Sequence, residues 1–359
     1  MVPYILTLGI SCGLAVIVER FPDLFRKKNI IQRGKVILPF LPLVLLAALR
    51  KNIGVDVVNT YGWDYEQMLK GAKTSHSDIA FQTIMKIFVF FKADYQWFVA
   101  FTAILMVGLF AFSIILSKQN ILFCLVLYFL TNHYIRSFCF VSQYIAVGLA
   151  LLGYILIINN KKIESIICFI FAVLFHSTAF VFIVPVLIIL LNKTKLLLIF
   201  SCALPLLTIV IRPFINEPLR WVISKTRFQY YIGSEFDFVD INRVFILINL
   251  AIWFWMFFLI KINKMKIQKT QIIYFFLQSI SLCFCVMQGL VPLTYRIIWY
   301  FMSIQVISIP SFCELIDNIK IKKITILLII MLELIWFVGW PVLSENLDGS
   351  LPYRSIFSE

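Results

Sequence analysis

Long apolar runs recur along this chain from end to end, with only a few polar residues between one and the next, and nothing else in the sequence limits its fold so strongly. They fall at 3–18, 36–49, 97–117, 121–135, 140–158, 163–175, 177–191, 195–211, 244–260, 271–290, 294–313 and 324–340. A helix needs roughly 20 mostly apolar residues to cross the hydrocarbon core, and fewer where protein shields it or the bilayer thins. The expectation is an all-α fold, a polytopic integral membrane bundle of about 10–12 transmembrane helices with an external loop and interfacial-helix region. Composition agrees: 62% of residues are hydrophobic and 14% charged, against about 25% charged in soluble domains. The whole chain, 1–359, reads as a single membrane-embedded domain with external segments 50–96 and 212–243.

The stretch 163–191 fits either one long helix or two short ones. His176, Ser177 and Thr178 lie at its middle, where a single helix would place them in hydrocarbon, so two short helices are expected. The run 78–94 (DIAFQTIMKIFVFFKAD) is too short and too basic to span comfortably and reads as an interfacial amphipathic helix. Two prolines and one glycine in 212–243 predict a broken loop with a short helix. Residues 3–18 follow no basic n-region and read as an uncleaved first helix.

The net charge of +14 does not signal nucleic acid, because lysines and arginines cluster at the ends of apolar runs rather than along a soluble basic stripe. The loops 19–35, 261–270 and 314–323, with Lys118, Lys161, Lys162, Lys193 and Lys195, fall on one side under a twelve-span reading. By the bias of basic residues toward the cytoplasm, that side is inside and both termini are outside. Lysine outnumbers arginine fifteen to three inside, whereas arginine leads eight to six outside. Lysine alone satisfies the orientation bias; arginine adds a planar fork suited to phosphate or carboxylate. The outer arginines therefore suggest an anionic ligand, although any one of them could equally snorkel to headgroup phosphates. The eight cysteines lie mostly inside apolar runs without CxxC or Cys/His spacing, so neither structural zinc nor a disulfide framework is expected.

Four polar constellations interrupt the apolar pattern. Arg50 and Asp56 flank Gly54, whose conformational freedom lets both fold toward one point; a helix-end arginine beside a turn aspartate explains them as well. Asn132, His133 and Arg136 sit at a break before Ser142 and Gln143, and an arginine near hydrocarbon is a functional candidate by default. His176, in Phe-His-Ser-Thr-Ala, is either a general base or a core histidine held by backbone. Arg296 starts an apolar helix, whose first amides favour anions.

At these residues the chain resembles the EpsG/Wzy-type polysaccharide polymerases of bacterial envelopes. The early R-x(3)-G-x-D-x(4)-Y pattern is matched by Arg50, Gly54, Asp56 and Tyr61. The RQ-x-IA pattern is matched in part by Ser142, Gln143, Ile145 and Ala146, with serine in the usual arginine position. F-H-x-[ST]-A is matched by Phe175, His176, Thr178 and Ala179. Two late patterns are matched by Arg227, Phe228 and Tyr231, and by Arg296, Tyr300 and Phe301.

The resemblance implies a metal-independent glycosyltransferase without cofactor, multi-pass in the bacterial cytoplasmic membrane, with its site facing outward. It would move a growing glycan from undecaprenyl diphosphate onto a new lipid-linked repeat unit. Its partners would be the lipid-linked donor and acceptor, membrane lipids, a chain-length regulator and a flippase. No nucleotide sugar exists outside the cell, so the leaving group is a lipid diphosphate, whose charge arginines can stabilise without a metal. Arg50, Arg136, Arg227 and Arg296 are expected around the diphosphate. His176 is expected as the base and Asp56 as its orienter or alternative, with Tyr61, Gln143, Tyr231 and Tyr300 on substrate. Two other functions remain open: a lipid-linked oligosaccharide flippase or transporter, and a polysaccharide ligase. Repeated halves and broken glycine-rich helices would favour the transporter; the chain has 13 glycines and no evident repeat.

Overall fold

A computed structural model describes residues 1–20, 35–72, 78–234, 237, 242–290, 292, 294–343, 346 and 348–358. The described chain is helical throughout and carries no strand, only an isolated antiparallel bridge between Arg50 and Ser355. Contacts divide it into two compact units, residues 1–179 with 329–359, and residues 180–328. Among the described residues seven helices are long and apolar enough to cross a membrane, and four shorter apolar helices accompany them. The protein is a multi-pass membrane helical bundle. Side chains such as Leu6, Ile10, Leu206 and Val210 stay exposed on the outsides of such helices, as lipid contact requires.

The first unit opens with α1 (Val2–Arg20), a 3-10 turn (Lys35–Phe40) and α2 (Leu41–Ala48). A π-helical turn (Val57–Gly62) leads into α3 (Trp63–Leu69), followed by α4 (Ile79–Phe90) and α5 (Tyr95–Ser117). Next come α6 (Ile121–Leu130), the one-turn α7 (His133–Arg136), α8 (Val141–Ile158) and α9 (Lys162–Phe175). Helix starts obey local chemistry. Asp94 accepts from Gln96 N at 2.7 Å to begin α5, and Asn120 accepts from Phe123 N at 2.8 Å to begin α6, each satisfying an amide that has no carbonyl partner within the helix. Helix α8 is buried on nearly every face, between α5 and α9. Gly153 is what lets α9 approach, since a Cβ there would stand 2.8 Å from the Phe169 ring. The Ser165 hydroxyl then donates to the Gly153 carbonyl at 2.8 Å.

The second unit begins within a 3-10 turn (Ser177–Phe182) and continues through α10 (Ile183–Leu190) and α11 (Thr194–Ser224) to a second 3-10 turn (Arg227–Tyr231). It is completed by α12 (Arg243–Ile262), α13 (Lys269–Val286), α14 (Thr294–Met302) and α15 (Gln305–Cys313). Helix α16 (Ile319–Leu343) carries the chain back to the first unit. Asn249, Gln278, Ser281 and Gln305, all fully buried, join α12, α13 and α15. Asn249 Oδ1 accepts from Gln305 Nε2 at 3.0 Å, Ser281 Oγ at 3.1 Å and Gln278 Nε2 at 3.3 Å.

Two expectations change here. Residues 212–224, expected within a broken loop with a short helix, continue α11 through Pro213 and Pro218. Each proline removes one amide and crowds the carbonyl four residues back, about 3 kcal/mol in an ordinary helix. The apolar run 294–313 divides at Ser303–Ile304 into α14 and α15. The stretch 163–191 breaks at His176, as expected.

Candidate active site

Helix α9 ends at Phe175, and His176 leaves it in extended conformation (φ −153°, ψ 115°), its amide still bonded to Ala172 O. The Ala179 amide bonds back to His176 O at 2.9 Å and starts the 3-10 turn. The imidazole is thereby released from the helix surface with a side-chain exposure of 20%. Its Nδ1 lies 2.8 Å from Asp78 Oδ2. Asp78 occupies the N-cap of α4, yet its carboxylate makes no capping bond; Oδ1 instead accepts from Ser177 N at 3.3 Å. Ser142 Oγ, one residue into α8, stands 3.4 Å from both Asp78 Oδ2 and His176 Nδ1. With Asp78 ionised its carboxylate can only accept, which places a proton on Nδ1 and leaves Nε2 with a lone pair. That is the tautomer a general base needs.

Asp56, expected as the orienter, sits half-exposed at the start of the π-helical turn. The carboxylate bonded to His176 is Asp78. Nothing in the sequence pointed to that residue, because an aspartate just before a helix reads as a cap. Tyr61 is buried with its ring 4.8 Å from Phe81 on α4, the helix that Asp78 precedes.

Arg50 is enclosed at 1% exposure. Its Nη1 donates to Ala47 O, and its guanidinium stands 4.8 Å over the Phe138 ring. The surrounding hydroxyls belong to Tyr4, Tyr95, Tyr134 and Tyr353; burial pushes the Arg50 pKa down and these tyrosines partly oppose the shift. Among the described residues Nε and Nη2 have no hydrogen-bond partner. Residues 348–356 form one wall. Gly54 N donates to Gly349 O at 3.0 Å, Lys51 N to Arg354 O at 3.0 Å, and Ile356 N to Leu49 O at 2.9 Å. Gly54 is obligatory here: its φ is +93°, and a Cβ would lie 2.3 Å from Phe138 O.

Arg136 ends α7, also at 1% exposure, with its guanidinium 5.6 Å over the Trp336 ring. Its charge acts on the Tyr144 hydroxyl of α8. Gln143 is buried beside them in sequence, on α8.

The remaining expected residues belong to the second unit. Arg296 is the third residue of α14 and half-buried. Tyr300, one turn on, is fully buried and meets Phe182 edge-on at 4.9 Å. Tyr231 lies parallel to Phe228 at 6.5 Å and tilted against Tyr230 at 4.1 Å. Arg227 opens the second 3-10 turn; its side chain lies outside the described residues. Two arginines outside the expected set are tied within this unit. Arg212 donates to Val286 O and Gln288 O, and Arg220 forms a two-pronged pair with Asp237 at 2.8 and 2.6 Å.

Residues 36–355 match the EpsG family. The chain belongs to the EpsG family. Searches of curated proteins and of solved structures return no match. Seen in this EpsG protein, the F-H-x-[ST]-A pattern is a helix break that frees an imidazole, and the R-x(3)-G-x-D pattern is a turn pressed against the 138–139 backbone. Ser142 brings a small hydroxyl up to the Asp78–His176 pair.

Proposed function

We propose that this EpsG-family protein is a polysaccharide polymerase. It transfers a growing glycan from undecaprenyl diphosphate to the terminal hydroxyl of a new undecaprenyl-diphosphate-linked repeat unit, at the outer face of the bacterial cytoplasmic membrane. The observation that carries this reading is the 2.8 Å contact between His176 and Asp78. It gives a membrane protein of this family a histidine prepared to accept a proton.

In the proposed reaction His176 Nε2 takes the proton of the acceptor hydroxyl as that oxygen attacks the anomeric carbon of the donor. The bond to the lipid diphosphate breaks, and its oxygen leaves with the electron pair. Asp78 positions the imidazole and stabilises the imidazolium. Within the first unit Arg50 and Arg136 are assigned to the diphosphate, Asp56 to acceptor hydroxyls and Tyr61 and Gln143 to the glycan; for Arg227, Arg296, Tyr231 and Tyr300 of the second unit the same roles rest on the family resemblance alone. Among the described residues Arg50 Nε and Nη2 make no hydrogen bond, a cost that an acceptor would relieve, but at 1% exposure the guanidinium must first be uncovered for a diphosphate to reach it.

The test is reconstitution of the purified protein with a lipid-linked repeat unit, without nucleotide or added divalent metal. Glycan ladders and released undecaprenyl diphosphate are expected. Transbilayer movement of the lipid without ladders would replace the polymerase with a flippase. Transfer only to an acceptor other than a repeat unit would make it a ligase.

A further inference from the structure

On the far side of the chain from the Arg50 guanidinium lies a shallow basic cavity that none of the assignments above uses. Its walls are Lys51, Asn52, Arg354, Ser355 and Ser358, and its volume is about 190 Å³. That is room for a phosphoryl group with several waters, given about 30 Å³ per water.

The backbone explains how the walls assemble. Arg50 and Ser355 form the isolated antiparallel bridge, and the bond from Lys51 N to Arg354 O sets Lys51 opposite Arg354. Side chains alternate across a paired segment, so burial of Arg50 sends both Lys51 and Arg354 outward, and both are exposed. Two like charges directly opposite each other oppose the pairing. Among the described residues no carboxylate lines the cavity and neither cation makes an ion pair. An anion between them turns the repulsion into two attractive contacts.

Ser358 adds a hydroxyl to the cavity wall, held by Ser355, which stands opposite Arg50 in the bridge. Ser358 Oγ accepts from Ser355 N at 3.0 Å, and Ser355 Oγ accepts from Phe357 N at 3.2 Å. The two hydroxyls face each other at 3.2 Å. That contact consumes one of their two protons, so one O–H is left to donate.

We propose that the cavity between Lys51 and Arg354 binds a phosphate oxyanion, with the arginine fork and the lysine ammonium on its oxygens and a serine hydroxyl as third donor. The inference rests on this geometry alone and does not depend on His176 or on polymerisation. Phe357, 78% exposed, and Ile356 flank the site with apolar surface, which suits a phosphate carried on a lipid as well as a free one.

The experiment uses the full-length protein in detergent. Native mass spectrometry counts bound phosphatidylglycerol against phosphatidylcholine in one titration and bound inorganic pyrophosphate in another. Lys51→Ala and Arg354→Ala should each weaken binding about tenfold, the value of one charge-assisted contact, while Lys51→Arg should preserve it. Loss confined to phosphatidylglycerol assigns a lipid headgroup; loss confined to pyrophosphate, or shared by both, assigns a free or diphosphate group. A second measurement needs no variant: pyrophosphate at constant ionic strength should slow acylation of Lys51 by an amine-reactive ester, read by peptide mass spectrometry. Equal binding by wild type and the alanine variants, or unchanged acylation of Lys51, overturns the proposal.

Discussion

Asp78→Asn tests the candidate site most sharply, because it changes one charge and almost no volume. The asparagine keeps an oxygen for the Ser177 amide, 3.3 Å away in the native protein, so the local backbone has no reason to move. What changes is the 2.8 Å contact with His176 Nδ1. A hydrogen bond to a charged acceptor contributes about 1.5–3 kcal/mol, and each 1.36 kcal/mol of barrier is a factor of ten. Loss of that contact alone slows turnover roughly ten- to two-hundredfold. If the amide NH₂ turns to His176, the proton moves to Nε2 and the base is lost, which extends the effect toward ~10⁴-fold. Asp78 is a positioning residue, so kcat should fall with KM little changed. The assay is the initial rate of ladder formation by reconstituted protein across a titration of lipid-linked repeat unit. Asp78→Glu should recover part of the rate, since its longer arm can still accept from Nδ1. An Asp78→Asn protein that is folded and polymerises at the wild-type rate would refute the dyad.

Other consequences follow from contacts elsewhere in the protein. Arg220 holds the Asp237 carboxyl below its ordinary value of 3.8, so the pair contributes stability that is complete at neutral pH and is lost as pH falls through the lowered value. Hydrogen exchange of peptides around Gly233, whose amide bonds Asp237 at 2.7 Å, should be flat from pH 7 to about 5 after correction for intrinsic rate, and Asp237→Asn should expose them at neutral pH. Gly54→Ala forces a left-handed backbone on a residue with a Cβ, at about 1–2 kcal/mol, and drives that carbon into Phe138 O; thermal unfolding in detergent should report a clear loss of stability. Removing residues 348–358 takes away the carbonyls that hold Lys51, Gly54 and Val55, and Arg50 should then react with phenylglyoxal while remaining protected in the full chain. Asn249→Leu leaves three buried donors without their shared acceptor; at about 0.6 kcal/mol per intramembrane bond, the loss is about 2 kcal/mol, measurable by equilibrium unfolding.

Most of the helical architecture can be read directly from the chain, because bilayer thickness imposes a length on every crossing and lipid forbids unpaired backbone. The apolar runs fold as helix, some of them in two pieces, and the break at His176 was implied by three polar groups in hydrocarbon. Long-range pairing was not legible. Asp78 and His176 are far apart in sequence, and an aspartate preceding a helix is normally spent on the helix's own amides; only packing turned its carboxylate to the imidazole. Likewise a lone arginine at a helix end is expected to reach water or headgroups. Arg50 is buried because Tyr4, Tyr95, Tyr134 and the distant segment carrying Tyr353 close around it. Periodicity and hydropathy are properties of neighbouring residues, whereas a proton acceptor or a buried charge is made by residues that meet only when the chain has folded.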